Sequence, residues 1–166
     1  GTLSKKYNIP VYANKETWGA LESQKEKISK SNTKYFTFEE FSIGDLTILP
    51  FSIPHDAANP CGFNILSGDS KISVATDLGH VTPDVFENLK GSSFVLLESN
   101  YEPEVLKFSR YPYVLKKRID GPYGHLSNII AGKTISKLVP LGLNSVILGH
   151  LSKENNFPEL ALKTVT

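Results

Sequence analysis

The sequence predicts an α/β fold of layered strands and helices. Short apolar, strand-like runs alternate with helical segments along the chain. Two of the runs, Phe94 to Glu98 and Val146 to Leu148, are almost continuously apolar, as in strands covered on both faces. No repeat, low-complexity tract or Pro/Gly-rich linker divides the 166 residues, so residues 1–166 read as one domain.

Taken in order, Val11 to Ala13 is a short strand, and Asn14 caps a helix running to about Ile28, with Trp18, Leu21 and Lys25 at helical spacing. Tyr35 to Phe38 and Leu46 to Ile53 read as strands joined in a hairpin or meander through the acidic turn Glu39 to Asp45. Gly62 to Leu66 and Lys71 to Ala75 flank the turn composition SGDS and predict a hairpin. Thr82 and Pro83 supply a cap and a first helical residue for a helix to about Lys90, which Gly91 ends. Between the two apolar strands, helices are predicted over Glu102 to Phe108, Val114 to Ile119 and Ser127 to Leu138, the last stopped by Pro140 and Gly142.

Composition narrows the class. The chain is 40% hydrophobic with a formal net charge of +1, so it has material for a core and no global field for a polyanion. Nucleic-acid binding therefore needs a local patch. A single Cys excludes a disulfide scaffold, and Cys61, between Pro60 and Gly62, reads as a small buried hydrophobe rather than a nucleophile. No apolar run approaches the roughly 20 residues of a spanning helix, and the first ten residues lack a signal-type apolar stretch, so a cytoplasmic location without membrane contact is expected. The chain begins at Gly1 and contains no Met, so a portion of a longer polypeptide is expected.

The chemistry lies where strands run out. FSIPHDAANP presents His55, KISVATD presents Asp77, YGHLSN presents His125 and VILGHLSKENN presents His150, each in a small polar or Gly-containing segment after an apolar one. A carboxylate surrounded by imidazoles makes a metal cluster, because both donor types suit zinc or manganese. Taken singly, each His is more often a capping or packing residue. There is no HExxH or CxxC, so spacing alone is weak evidence. Neither Ser99 nor Ser127 lies in GxSxG, which sets a serine hydrolase aside.

The segments PHDAANPCGF, VATDLGH, LLESNYEPEVLKFSRYPYVLKKRI, GPYGHLSN and LGHLSKENN, in that order, resemble the successive blocks of the YycJ/WalJ type of metallo-β-lactamase-fold hydrolases, which are DNA exonucleases. The resemblance runs from LSKKYNIPVYAN to LALKTV. It implies an αβ/βα sandwich with metals held by loops at one edge of two packed sheets, and a metal-dependent phosphodiesterase using a hydroxide activated by two divalent ions, zinc or manganese. It makes His55 and His150 metal ligands and Asp77 the carboxylate bridging both ions. His125 becomes a family-specific active-site residue that contacts phosphate or protonates a leaving oxygen. His80 matches no ligand and reads as a surface or packing residue. Asp56, Glu98 and Asn100 are candidates, by type and position, to accept the second N–H of a ligating imidazole.

DNA is the implied substrate, with protein partners unspecified. In KFSRYPYVLKKR, Lys107, Arg110, Lys116, Lys117 and Arg118 lie among Tyr111 and Tyr113, a mixture that suits a phosphate backbone and stacked bases and also describes an ordinary solvated helix face. Because RYP belongs to the family-specific block, Arg110 is the chosen phosphate contact. Asn128, at a helix start after His125, is a second candidate for substrate binding. The HxHxDH segment of the superfamily does not occur in these residues, so most ligands for two ions are expected upstream of Gly1, the last helix and strands beyond Thr166, and activity in the parent rather than in this chain alone. The alternatives are a hydrolase of small phosphodiesters or esters on the same fold, and a metal-free, non-catalytic binding module or fragment.

Overall fold

The computed structural model describes all residues, Gly1–Thr166. A six-stranded mixed sheet forms its frame. β3 (Phe41–Ile43), β4 (Leu46–Ser52), β5 (Cys61–Ser67) and β6 (Ser70–Ala75) are antiparallel neighbours, and β7 (Phe94–Glu98) and β8 (Ser145–Gly149) continue in parallel from β6. The crossovers that parallel pairing requires carry α4 (Pro83–Leu89) between β6 and β7, and α5 (Pro103–Phe108), α6 (Tyr113–Ile119) and α7 (Asn128–Leu138) between β7 and β8. The expected caps are in place: the Thr82 side chain accepts the N–H of Val85, and that of Ser127 accepts the N–H of Ile130.

One face of the sheet packs on α4 and α7. Phe51, Ala75, Val95 and Leu97 from the strands meet Val85 and Leu89 from α4 and Ala131 and Leu138 from α7, all buried in one cluster. Removing a side chain of this size from water stabilises by about 2–3 kcal/mol. The opposite face carries the cross-strand row Phe63, Val74, Leu96 and Ile147 and the row Ile65, Ile72 and Phe94, also apolar but only partly covered. Ile147 stands 51% exposed on edge strand β8, so the expectation that this strand is covered on both faces is not met. A two-sheet sandwich is the architecture that buries such a face.

The N-terminal region departs most from the sequence expectations. An unforeseen helix, α1 (Thr2–Tyr7), ends at Asn8 in the left-handed conformation. Asn14 does cap a helix, its side chain accepting the N–H of Thr17, but α2 (Lys15–Ala20) breaks at Leu21 and only one turn follows, α3 (Glu22–Lys25). Gly19 and a sparse apolar face give a longer helix little to gain. Thr33–Tyr35, here β2, pairs in parallel with β1 (Val11–Ala13), and β4 takes Phe41–Ile43 as its hairpin partner across Gly44 at φ +58°. The two-residue turn Gly44–Asp45 closes a shorter loop than the meander expected from Glu39 to Asp45. A final helix, α8 (Pro158–Val165), packs on α7 and had no counterpart in the sequence reading. No helix is long and apolar enough to cross a membrane.

Leu97→Ala is expected to destabilise the protein by about 2–5 kcal/mol, and Ile147→Ala by under about 1 kcal/mol, in denaturant titrations with unchanged slope. Equal losses would contradict the placement of the core.

Candidate metal centre

β6, β7 and β8 run parallel and in register, with Ala75 opposite Leu97 and Glu98 opposite Gly149, so their C-terminal ends reach one edge of the sheet together. Open α/β sheets place their ligands at this edge. Asp77 follows β6, Glu98 ends β7 and His150 follows β8. Three non-glycine residues have positive φ, and two of them are Asp77 at +59° and His150 at +54°. Such backbone is costly for a residue with a Cβ, and here it turns both side chains out of their strands into the same space.

Glu98 organises that space. Its side chain has no exposed surface, and three donors converge on it: Nδ1–H of His125 at 2.8 Å and Nδ1–H of His150 at 2.7 Å on Oε1, and the Leu78 backbone N–H at 2.8 Å on Oε2. A buried carboxylate remains charged when opposite charge and hydrogen bonds replace its hydration. The same bonds fix both imidazoles in the tautomer that leaves Nε2 free. The hydrogen bond that His125 donates to Glu98, opposed by burial and aided by the nearby carboxylates, raises His125 above the ordinary histidine range.

His55 arrives on the loop between β4 and β5. Its Nδ1 donates to the carbonyl of Gly124 at 2.9 Å, and its free Nε2 faces Asp77 Oδ1 at 3.6 Å. Gly124 permits this contact, since a Cβ there would sit 2.2 Å from the carbonyl oxygens of Arg118 and Ile119. Neighbouring bonds lock the loop: Asp56 N–H donates to Tyr123 O, Gly79 N–H donates to Pro54 O, and the Arg118 guanidinium grips both Asp56 oxygens at 2.5 and 3.2 Å. That grip holds the Asp56 carboxyl below its ordinary range. Asp77 Oδ1 also lies 3.4 Å from His150 Nδ1 and 3.9 Å from His125 Nδ1, and adjacent imidazole centroids are 5.1 Å apart from His55 to His125 and from His125 to His150.

The structure therefore brings His55, Asp77, His125 and His150 together. Donor atoms of Asp77, Glu98, His125 and His150 lie within 4.8 Å of one another. With its lone pairs engaged by three N–H groups, Glu98 fits the orienting role better than that of a ligand. A carboxylate among imidazoles, as Asp77 is among His125 and His150 with His55 Nε2 facing it, is a donor set that fits a divalent metal ion.

The remaining candidates lie elsewhere. Asn100 donates to the His150 backbone carbonyl rather than to a ring, and His80 is exposed with Nδ1 donating to Pro122 O. Burial raises the Cys61 thiol to about 11, so it carries no thiolate at neutral pH. Arg110 is exposed on the turn between α5 and α6, in a separate cleft of about 410 Å³ shared with Glu154. Asn128 as a substrate contact is corrected: it is fully buried, its Nδ2 donates to Glu102 and Asn156, and its Oδ1 accepts from Ser99 and Asn156. A helix start looks like an anion site in sequence, but here its amide is committed to the packing of α7 against the loop after His150.

Residues 2–150 match the family described as Beta-lactamase superfamily domain. The chain is 33% identical over 167 residues to exodeoxyribonuclease YycJ of Bacillus anthracis, covering all of this chain and 63% of that protein. It is 33% identical over 168 residues to exodeoxyribonuclease WalJ of Streptococcus pneumoniae serotype 2, covering 99% of this chain and 62% of that protein. The chain thus spans about three fifths of the length of these relatives. Among solved structures, the metallo-β-lactamase fold protein YhfI from Bacillus subtilis superposes with a TM-score of 0.66 at 17% identity, covering 94% of this chain and 57% of that one. Zn²⁺-bound PqqB from Methylobacterium extorquens gives 0.60 at 19% identity, covering 87% and 54%.

In metal-free protein, the His125 imidazole is expected to titrate above the ordinary value of 6.5, and Glu98→Gln is expected to bring it down, as read by NMR. Because the folded value is the raised one, the pair's contribution to stability is full below the ordinary pKa and fades as pH rises through the raised value. A His125 that titrates normally in wild-type protein would contradict the pairing. Glu98→Gln should also weaken binding of zinc by about 10–100-fold.

Proposed function

The chain belongs to the metallo-β-lactamase superfamily, in its YycJ/WalJ branch, and on that premise we propose that it supplies part of the active centre of a metal-dependent phosphodiesterase that degrades DNA from its ends. The observation that carries this reading is the convergence of His55, His125 and His150 on Asp77 Oδ1 at the carboxyl edge of the sheet, with two of the rings anchored to buried Glu98. The names of the two relatives, both exodeoxyribonucleases, support the choice of substrate.

Asp77 would hold the divalent metal together with His55 and His150, each imidazole offering Nε2. Bound ions supply the positive charge that activates water and steadies the charge growing on phosphate oxygens. His125 has a different task. Its Nδ1–H is tied to Glu98, so its Nε2 is left for the substrate, where it contacts a phosphate oxygen or gives a proton to the leaving oxygen. Glu98 then stabilises the ring while it carries both protons. The clasp of Asp56, Arg118 and Gly124 holds His55 still during these steps, and Arg110, exposed beyond α5, contacts a backbone phosphate.

The test uses the full-length protein, manganese or zinc, and end-labelled DNA. Progressive shortening from the ends is expected. Asp77→Ala should cost more activity than His55→Ala or His150→Ala, each of which should cost more than about 100-fold and lower metal content. His125→Ala should cost about 10²–10⁴-fold with metal content unchanged. DNA left intact while a small phosphodiester is hydrolysed would overturn the substrate, and loss of metal from His125→Ala would overturn its role.

A further inference from the structure

Charge is unevenly divided in this nearly neutral protein. Residues 1–36 carry seven lysines against three glutamates, whereas the remaining residues carry eleven Lys and Arg against fourteen Asp and Glu. The positive charge therefore resides in the segment of α1, β1, α2, α3 and β2. That segment is built as a unit: Trp18, Ile28 and Phe36 are buried, and the indole N–H of Trp18 donates to Lys34 O at 2.8 Å. A run of rings fastens it to the main sheet, Tyr12 and Phe36 each stacking on Phe41 of β3 with centroids 5.5 Å apart, and Phe36 meeting Phe63 of β5 edge-on at 5.6 Å.

The unit is also tied to the loop that carries His55. Asn14 Nδ2 donates to Asn59 O at 2.8 Å, and Asn59 Nδ2 donates to Glu16 Oε2 at 3.1 Å. One of the three glutamates is thereby occupied in the tether. On the unit's surface, α1 and α3 flank a groove of about 700 Å³ lined by Lys5, Lys6 and Lys27 with Gly1, Thr2 and Gln24, and no acidic residue lines it. All three lysines are exposed, and the Lys6 ammonium lies 4.9 Å from the centroid of the exposed Tyr7 ring. Charges separated by more than about 8 Å are screened from each other at physiological salt, so local density rather than the net charge of +1 governs what this surface attracts.

We propose that this groove, with Lys5, Lys6 and Lys27, is a second contact for the phosphate backbone of the nucleic-acid substrate, gripping it at a distance from the metal centre. Compact ammonium groups fit sequence-independent backbone contact, which suits an enzyme that works along a strand. The inference takes its ligand from the nuclease reading. The groove adds no chemistry; it lengthens the track over which the substrate is held.

The experiment measures binding of a fluorescein-labelled DNA duplex to the full-length protein by anisotropy, with chelator present to prevent cleavage, over a series of salt concentrations. Each phosphate neutralised contributes about −0.9 to the slope of log K against log salt, so Lys5→Gln, Lys6→Gln and Lys27→Gln together should make the slope shallower by about 2–3 and weaken binding at least about tenfold at low salt. The matching Arg triple should retain the wild-type slope, and both triples should keep the wild-type thermal midpoint. A control triple with the same change in charge, Lys133→Gln, Lys137→Gln and Lys163→Gln on α7 and α8, should leave the slope unaltered. A groove triple with the wild-type slope, or a control triple with an equal loss, overturns the inference and leaves the nuclease reading standing, because wild-type protein still binds and cleaves DNA. Wild-type protein that neither binds nor cleaves DNA overturns both.

Discussion

Glu98 places a carboxylate at the edge of the sheet with no exposed surface, and it is tolerated there because two imidazoles and a backbone N–H replace its water. Loss of one hydrogen-bond partner of a buried group costs about 1–3 kcal/mol, so each donor counts. Leu78 supplies its donor from the loop that carries Asp77, His125 comes from the turn before α7, and His150 from the end of β8. One buried charge thereby ties three separate segments to the end of β7 and presents their reactive atoms together. The left-handed backbone at Asp77 and His150 is local strain held in place by those bonds.

Beyond this anchor, the site is assembled by loops that brace one another. The turn after α6 gives a carbonyl to His55 through Gly124 and one to Asp56 through Tyr123, while Arg118 closes on the Asp56 carboxylate. Behind His150, Asn128 and Asn156 pair their side-chain amides and bind the backbone of Ser99 and Asn100, filling the polar space under the loop after β8. Such networks are stable when every member is satisfied. They give the centre a braced wall on the side of the core.

Much of this architecture was legible in the residues. Strand runs with β-branched and aromatic content, the Thr82 and Ser127 caps, and the SGDS turn identified β5 to β8, α4 and α7 with boundaries close to those observed, because local preference and tertiary packing agree there. The N-terminal region was misread where they disagree. α1 and α3 are too short to show a period, and the parallel pairing of β1 with β2 joins short strands that no turn signal connects. At the site, positions after strand ends pointed to His55, Asp77, His125 and His150. Their mutual distances, and the reach of His125 and His150 to one oxygen of Glu98, depend on the parallel register of β6 to β8, which a single sequence does not display. A carboxylate ending an otherwise apolar strand was the available signal for Glu98. Asn128 was misleading because a capping position and a buried packing amide use the same residue type.

The central claim is that His55, Asp77 and His150 present a metal-binding face, with Glu98 turning His150 toward it. The most direct measurement is anomalous X-ray diffraction from crystals of the full-length protein loaded with zinc, collected on both sides of the metal edge. The account predicts density within about 2.0–2.2 Å of His55 Nε2, of an Asp77 carboxylate oxygen and of His150 Nε2, with both Nδ1 atoms still engaged by Gly124 and Glu98. Density coordinated by Glu98, or lying away from Asp77, would contradict it.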